Sequence, residues 1–253
     1  MELLYWFESI RNPVLDVLMS LVTHLGEETF FMVGALLVFW CVDKRKGYYL
    51  LSVGFVGVLV NQWLKIICRV PRPWVRDPGF TIVESARAEA AGYSFPSGHT
   101  QTAVGFFGGV ARFTGRLWLR FACIVILLLV SISRMYLGVH TPADVGVSFV
   151  TAAVLVLVMY PLMESTLWFP NRIYIILGVL LGCSLAFAGF MEFFPFPADI
   201  DPANLAEAVK NSYSMTGAVG GMLVVSVFDS RLLQFPTRAP WWGQVVKLLG
   251  GLV

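Results

Sequence analysis

Long apolar runs dominate this chain, and the breaks between them mark the predicted elements. Residues 47–64, 145–163, 173–191 and 211–228 carry no charge. Residues 121–133 form a shorter uncharged core, extended by 117–119 and 135–139. The runs 29–42 and 97–111 are shorter still, but polar ends can snorkel to an interface. A helix that crosses a bilayer needs about 20 mostly apolar residues. The pattern therefore predicts roughly seven or eight helices, over 13–25, 28–43, 48–69, 97–113, 117–139, 142–163, 172–192 and 212–229. The first is amphipathic, with Asp16 and His24, and either spans or lies in the interface plane. Lipid cannot satisfy an open backbone, so a helical bundle is the expected solution. The fold class is all-α, a polytopic membrane bundle. No internal repeat, low-complexity tract or linker is visible, so residues 1–253 read as a single domain.

Composition sharpens this picture. Hydrophobic residues make up 57% of the chain and charged residues only 13%, against roughly a quarter charged in soluble domains. The net charge of +2 is too small for nucleic-acid binding, which needs a clustered basic face. Cys41, Cys68, Cys123 and Cys183 lie far apart in apolar stretches without a CxxC pair. They read as small buried hydrophobes, neither a disulfide framework nor a zinc site. Glu2 and Glu8 precede any apolar run, so the N-terminus does not resemble a signal peptide.

Basic residues predict orientation. Lys44, Arg45, Lys46, Arg112, Arg116, Arg120, Arg172, Arg231, Arg238 and Lys247 fall on one side of an eight-span bundle, the expected cytoplasmic side. Glu27, Glu28, the 70–96 loop and the 195–201 stretch fall on the other. Size and layout point to a bacterial inner membrane. The tail with Trp241 and Trp242 suits an interfacial helix with an aromatic anchor, or a disordered end.

Three clusters carry candidate chemistry, all at one predicted face. Lys65 and Arg72 are seven apart and share a helical face if the helix persists, although Pro71 and Pro73 should end it. A basic flank snorkelling to headgroups is the plain alternative. Ser97, Gly98 and His99 open an apolar helix. Ser97 is a good N-cap, Gly98 permits close backbone approach, and the free N–H groups favour an anion. Alone, this is an ordinary cap with an interfacial histidine. Ser133 and Arg134 end an apolar helix, and His140, Thr141, Pro142 and Asp144 open the next. Asp144 either completes a capping box or orients His140. Together these residues offer three cations, two histidines, a helix N-terminus and one carboxylate. That inventory suits phosphoryl transfer, which needs positioning and charge neutralisation. His24 is left over.

In order, the clusters match K-x6-R-P, P-S-G-H and S-R-x5-H-x3-D across residues 65–144. This resembles the type 2 phosphatidic acid phosphatase (PAP2) superfamily, in its membrane branch. The resemblance implies that His140 attacks phosphorus and forms a phosphohistidine. Asp144 would orient His140, and His99 would protonate the leaving oxygen and then activate water. Lys65, Arg72, Ser97, Gly98 and Arg134 would bind the phosphate. It implies no cofactor and no metal, and the sequence offers no separate metal-ligand cluster. The implied substrate is a membrane lipid phosphate, such as undecaprenyl diphosphate, phosphatidylglycerophosphate or phosphatidic acid. An outward-facing site is expected. Phosphotransfer to a second lipid and a sugar phosphatase like the glucose-6-phosphatase branch are the alternatives within this chemistry. An anion transporter is the alternative outside it. The resemblance implies a six-helix core, with about two further helices after residue 170.

Overall fold

A computed structural model describes residues 1–167, 172–198 and 200–252. Its helices are α1 (Glu2–Ser9), α2 (Pro13–Thr23), α3 (Glu28–Leu37), α4 (Lys44–Cys68), α5 (Pro73–Arg76), α6 (Gly98–Ala103), α7 (Gly109–Phe113), α8 (Leu117–Tyr136), α9 (Pro142–Leu167), α10 (Arg172–Phe193), α11 (Pro202–Phe228) and α12 (Trp241–Leu252). No strand occurs among the described residues. The bundle is all-α, as the apolar pattern requires. Part of the expected loop after α9, and Asp199 in the 195–201 stretch, lie outside the described residues.

Local chemistry sets the helix starts. Asn12 caps α2 by accepting from Leu15 N, with Pro13 at the first position. Asp43 caps α4 through Arg45 N and Lys46 N. Asp201 caps α11 through Ala203 N and Asn204 N. In each case a short polar side chain satisfies amides that have no intrahelical partner. The Asp201 cap extends α11 well upstream of the expected start at 212, so the polar 202–211 segment is helical.

α4 is the central strut. It packs extensively on α9, while α10 and α11 pack on each other and lean on α4. Glycine permits the closest approach to another backbone at Gly47. A Cβ there would lie 2.4 Å from both Cα and Cβ of Phe39. The end of α3, a π turn over Val38–Val42, therefore seats directly on the start of α4.

Five helices are long and apolar enough to cross a membrane, and α2 with α3 makes a sixth as a pair bent by 51°. The tract from α6 through a π turn (Val104–Gly108) to α7 is sixteen residues, about 24 Å at the usual rise. It runs from the candidate site to Gly109, where a Cβ would meet Leu50 near the opposite end of α4.

Two expectations need correction. The eight-span scheme made the first helix a separate crossing. Instead Arg11 donates from Nη1 to Thr81 O at 2.8 Å and from Nε to Tyr136 O at 3.1 Å, and Asp16 accepts from the Tyr136 hydroxyl at 2.7 Å. α1 and the start of α2 thus sit at the end that carries the 70–96 loop. α2 leads into α3 through the turn at His24–Gly26, so the two form one bent element. Lys44, at the end of the bundle far from the site, pairs with Asp229 at 2.6 Å. The second correction concerns the cysteines. All four are free, but only Cys123 is buried, and Cys68 and Cys183 are exposed. In a lipid-facing bundle an apolar residue need not point inward.

Candidate active site

The C-terminal end of α4 and the starts of α6 and α9 converge at one end of the bundle, with the end of α8 beside them. α4 stops at Cys68 because Arg69 adopts a left-handed backbone, φ 46°, and returns its N–H to Lys65 O at 2.9 Å. Lys65 and Arg72 therefore meet at the mouth of α4 and not along one helical face, as expected for a helix that ends before Pro71 and Pro73. Lys65 Nζ donates to Tyr93 O at 2.6 Å. Arg72 is buried and uses its whole fork. Nε donates to Gly92 O at 3.0 Å, Nη2 to Ala91 O at 2.8 Å and Nη1 to Val139 O at 3.0 Å.

Arg72 Nη1 also lies 3.0 Å from His140 Nε2. A guanidinium has no acceptor and stays charged, so Arg72 must be the donor. Nε2 therefore presents its lone pair, and a neutral ring carries its proton on Nδ1. That atom faces Asp144 Oδ2 at 3.6 Å. The imidazole is 2% exposed. Burial, then the charges of Arg72, Arg134 and Lys65, hold its pKa well below the usual histidine range. A neutral ring with a bare Nε2 is the form a nucleophile requires.

Asp144 combines both roles that its position allows. Its Oδ2 accepts from Thr141 N at 2.8 Å, and Thr141 Oγ1 accepts from Asp144 N at 3.3 Å, which is a capping arrangement. The same oxygen accepts from Ser94 Oγ at 2.6 Å and faces His140. The cap fixes the carboxylate, and the fixed carboxylate faces the ring.

Ser97 caps α6, its Oγ accepting from Thr100 N at 3.4 Å, and its own N–H reaches Asp144 O at 3.2 Å. A Cβ at Gly98 would meet nothing within 4 Å, so the backbone there borders open space. Arg134 is 0% exposed. Its Nη1 donates to Thr23 Oγ1 at 2.6 Å, while Nε has no hydrogen-bond partner among the described residues. The same holds for His99 Nε2. Arg134, His140, Arg72 and Lys65 all lie within electrostatic range of His99. All eight residues singled out from the sequence thus gather at one centre.

Sequence reasoning did not find Ser94 and Thr23, which hold Asp144 and Arg134. Neither lies at a motif position. The fold also brings His24, Glu27 and Glu89 within 4.8 Å of one another beside His99. Glu89 lies 62 or more residues from the other two, so no spacing signals this group.

Three cavities surround the centre. One of about 960 Å³ lies between Arg72, Trp74 and the start of α11 at Asn204 and Glu207. An apolar one of about 540 Å³ lies between α3, α4, α6 and α11, over Gly54 and Gly57. A small one of about 50 Å³, bordered by Gln62, Lys65 and Asn211, shares lining residues with both. His140 lines none of them. The 91–93 segment, whose carbonyls hold Lys65 and Arg72, lines the larger space.

Comparison with known proteins places these residues among relatives. The model of the PAP2 superfamily matches residues 45–168. Undecaprenyl-diphosphatase BcrC of Bacillus subtilis is 27% identical over 151 residues, 58% of this chain and 74% of that protein. Phosphatidylglycerophosphatase B of Bacillus subtilis is 30% identical over 152 residues, 54% of this chain and 69% of that protein. Sphingosine-1-phosphate phosphatase 1 of Mus musculus is 28% identical over 161 residues, 61% of this chain, yet the chain spans only 36% of that protein's length. The crystal structure of a transmembrane PAP2 type phosphatidylglycerolphosphate phosphatase from Bacillus subtilis superposes with a TM-score of 0.51 at 27% identity. It covers 65% of this chain and 84% of that one.

Proposed function

Because the chain belongs to the PAP2 superfamily, a family of membrane phosphatases, we propose that it hydrolyses a phosphate or diphosphate ester of a membrane lipid through a phosphohistidine on His140. One observation carries this reading. The His140 ring is clamped between Arg72 Nη1 on Nε2 and Asp144 Oδ2 facing Nδ1.

The steps follow from that geometry. An entering phosphate takes the Arg72 N–H that now rests on His140 Nε2. The freed lone pair attacks phosphorus, and Asp144 stabilises the charge that develops on the ring. Lys65, Arg72, Arg134, the Ser97 hydroxyl and the amide at Gly98 neutralise the equatorial oxygens. The bond from phosphorus to the leaving oxygen breaks (the ester oxygen of a monophosphate, the bridging oxygen of a diphosphate), and His99 gives that oxygen its proton. His99 then takes a proton from water, which attacks the phosphohistidine. The phosphorus–nitrogen bond breaks, and inorganic phosphate leaves. No step draws on a metal or cofactor.

The apolar cavity between α3, α4, α6 and α11 supports a lipid substrate, because it offers space for hydrocarbon and shares Gln62 and Asn211 with the small pocket that Lys65 lines. Undecaprenyl diphosphate, phosphatidylglycerophosphate and phosphatidic acid are the candidate classes. The test is phosphate release by detergent-purified protein from these three and from glucose 6-phosphate, with EDTA present. Release from a lipid and not from the sugar phosphate is expected. Release only from the sugar, or label passing to a second lipid in place of water, would sink the reading.

The residues at hand form one domain over 1–253 in this reading, set in a bacterial inner membrane with the site on the extracytoplasmic side. The basic residues at the opposite end support that orientation. Gly79 is exposed beside the site loop, and a Cβ there has ordinary room. Gly79→Cys, in a chain whose native cysteines are replaced by serine, should react with an impermeant maleimide in intact cells. Reaction only after permeabilisation would reverse the orientation.

A further inference from the structure

His99 presents a difficulty that the site motifs leave open. As proposed above, it must hold a proton to give to the leaving oxygen. Yet Lys65 and Arg72 from the α4 end, Arg134 from α8 and the ring of His140 all lie within electrostatic range of it. Positive neighbours oppose a proton on an imidazole. Asp144 cannot relieve this, because its carboxylate is committed to Ser94, Thr141 and His140. A second carboxylate is needed on the other side of His99.

Glu89 stands there. Its Oε2 lies 3.9 Å from His99 Nε2, and its Oε1 lies 3.6 Å from His24 Nδ1. One carboxylate thus faces two imidazoles, one with each oxygen. The His99 distance exceeds a direct hydrogen bond, and one water or a shift of about 0.7 to 1 Å closes it. His24 is held in turn by Glu27, one turn along. Glu89 is 31% exposed on its side chain and His99 17%, so their attraction is only partly screened.

The backbone fixes this arrangement independently. A Cβ on Gly26 would lie 2.9 Å from His99 O and 2.6 Å from Val130 Cγ1. Only glycine lets the His24–Gly26 turn seat against the His99 backbone. The turn that carries His24 and Glu27 is therefore docked on the residue whose proton is at issue.

We infer that Glu89, backed by His24 and Glu27, is a positioning residue that keeps His99 protonated for the leaving oxygen. The inference rests on the catalytic reading of His99. Glu89 touches neither substrate nor phosphorus. It acts through His99.

The sign of its effect follows. A carboxylate favours the charged imidazole, so His99 keeps its proton to higher pH when Glu89 is present. Glu89→Gln removes the charge and keeps the shape. The alkaline limb of the kcat/KM profile should then move to lower pH by about one unit, roughly a tenfold loss at pH 8 with little change at pH 5. Glu89→Asp should restore part of the shift. The experiment measures phosphate release from phosphatidic acid in detergent across pH for wild type, Glu89→Gln, Glu89→Asp and His99→Asn. A rate that falls equally at every pH in Glu89→Gln, or does not fall, overturns the inference. So does loss of wild-type activity in EDTA, because the cluster would then hold a divalent cation. If His99→Asn keeps the wild-type rate, the catalytic reading itself fails. If His99→Asn is inactive while the Glu89→Gln limb stays in place, only the inference falls.

Discussion

His140→Ala is expected to insert and fold as the wild type does, and to release phosphate from lipid about 10⁴-fold more slowly or worse. The fold should survive because neither neighbour depends on the ring alone. Arg72 keeps its bonds to Ala91, Gly92 and Val139. Asp144 keeps Ser94 and Thr141 N. The chemistry should not survive, because the remaining cations bind phosphate but offer no lone pair to phosphorus. Detergent size-exclusion profiles of the two proteins should coincide. Wild type denatured in alkali during turnover should carry an acid-labile phosphate on the chain, and the variant should carry none. Phosphate release by His140→Ala within tenfold of wild type would remove His140 as the nucleophile.

The sequence carried most of this site because its residues come in short linked motifs. Lys65 and Arg72 sit within one reversal of the chain, Ser97 to His99 within one helical turn, and Arg134 to Asp144 across one helix junction. Ser97 was legible as a cap and stands as one, but Asp43 and Asp201 cap helices that start at Lys44 and Pro202, upstream of the expected 48 and 212, because polar first turns carry no apolar signal. Two further things were not readable. The N-terminal element could not be placed, because an amphipathic segment with Asp16 and His24 satisfies a spanning helix and an interfacial one alike. Contacts from Arg11 to Thr81 and from Asp16 to Tyr136 decide it, and those pairs are 70 and 120 residues apart. The group around Glu89 was hidden for the same reason. A carboxylate in a long loop carries no periodicity, and only the seat that Gly26 makes against His99 brings His24 and Glu27 to it.

Arg72→Lys is the second large effect, and it separates charge from geometry. If phosphate binding needed only a positive charge at this end of α4, lysine would serve. Arg72 does more, because its planar fork spans three carbonyls and one imidazole nitrogen. An ammonium presents its donors from a single point and cannot reach four acceptors placed around a plane. The Ala91 and Gly92 carbonyls would lose their common partner, and the Gly92 backbone, at φ +75°, would lose the bond that holds it over the site. kcat/KM for lipid hydrolysis should fall about 100-fold to 1,000-fold, with the net charge of the chain unchanged. Amide exchange at residues 91–93 should quicken in the same variant, while exchange within α8 and α9 stays as in the wild type. Activity within tenfold of wild type would mean that Arg72 contributes charge alone. Lost activity with unchanged exchange at 91–93 would place its whole effect on the phosphate and His140.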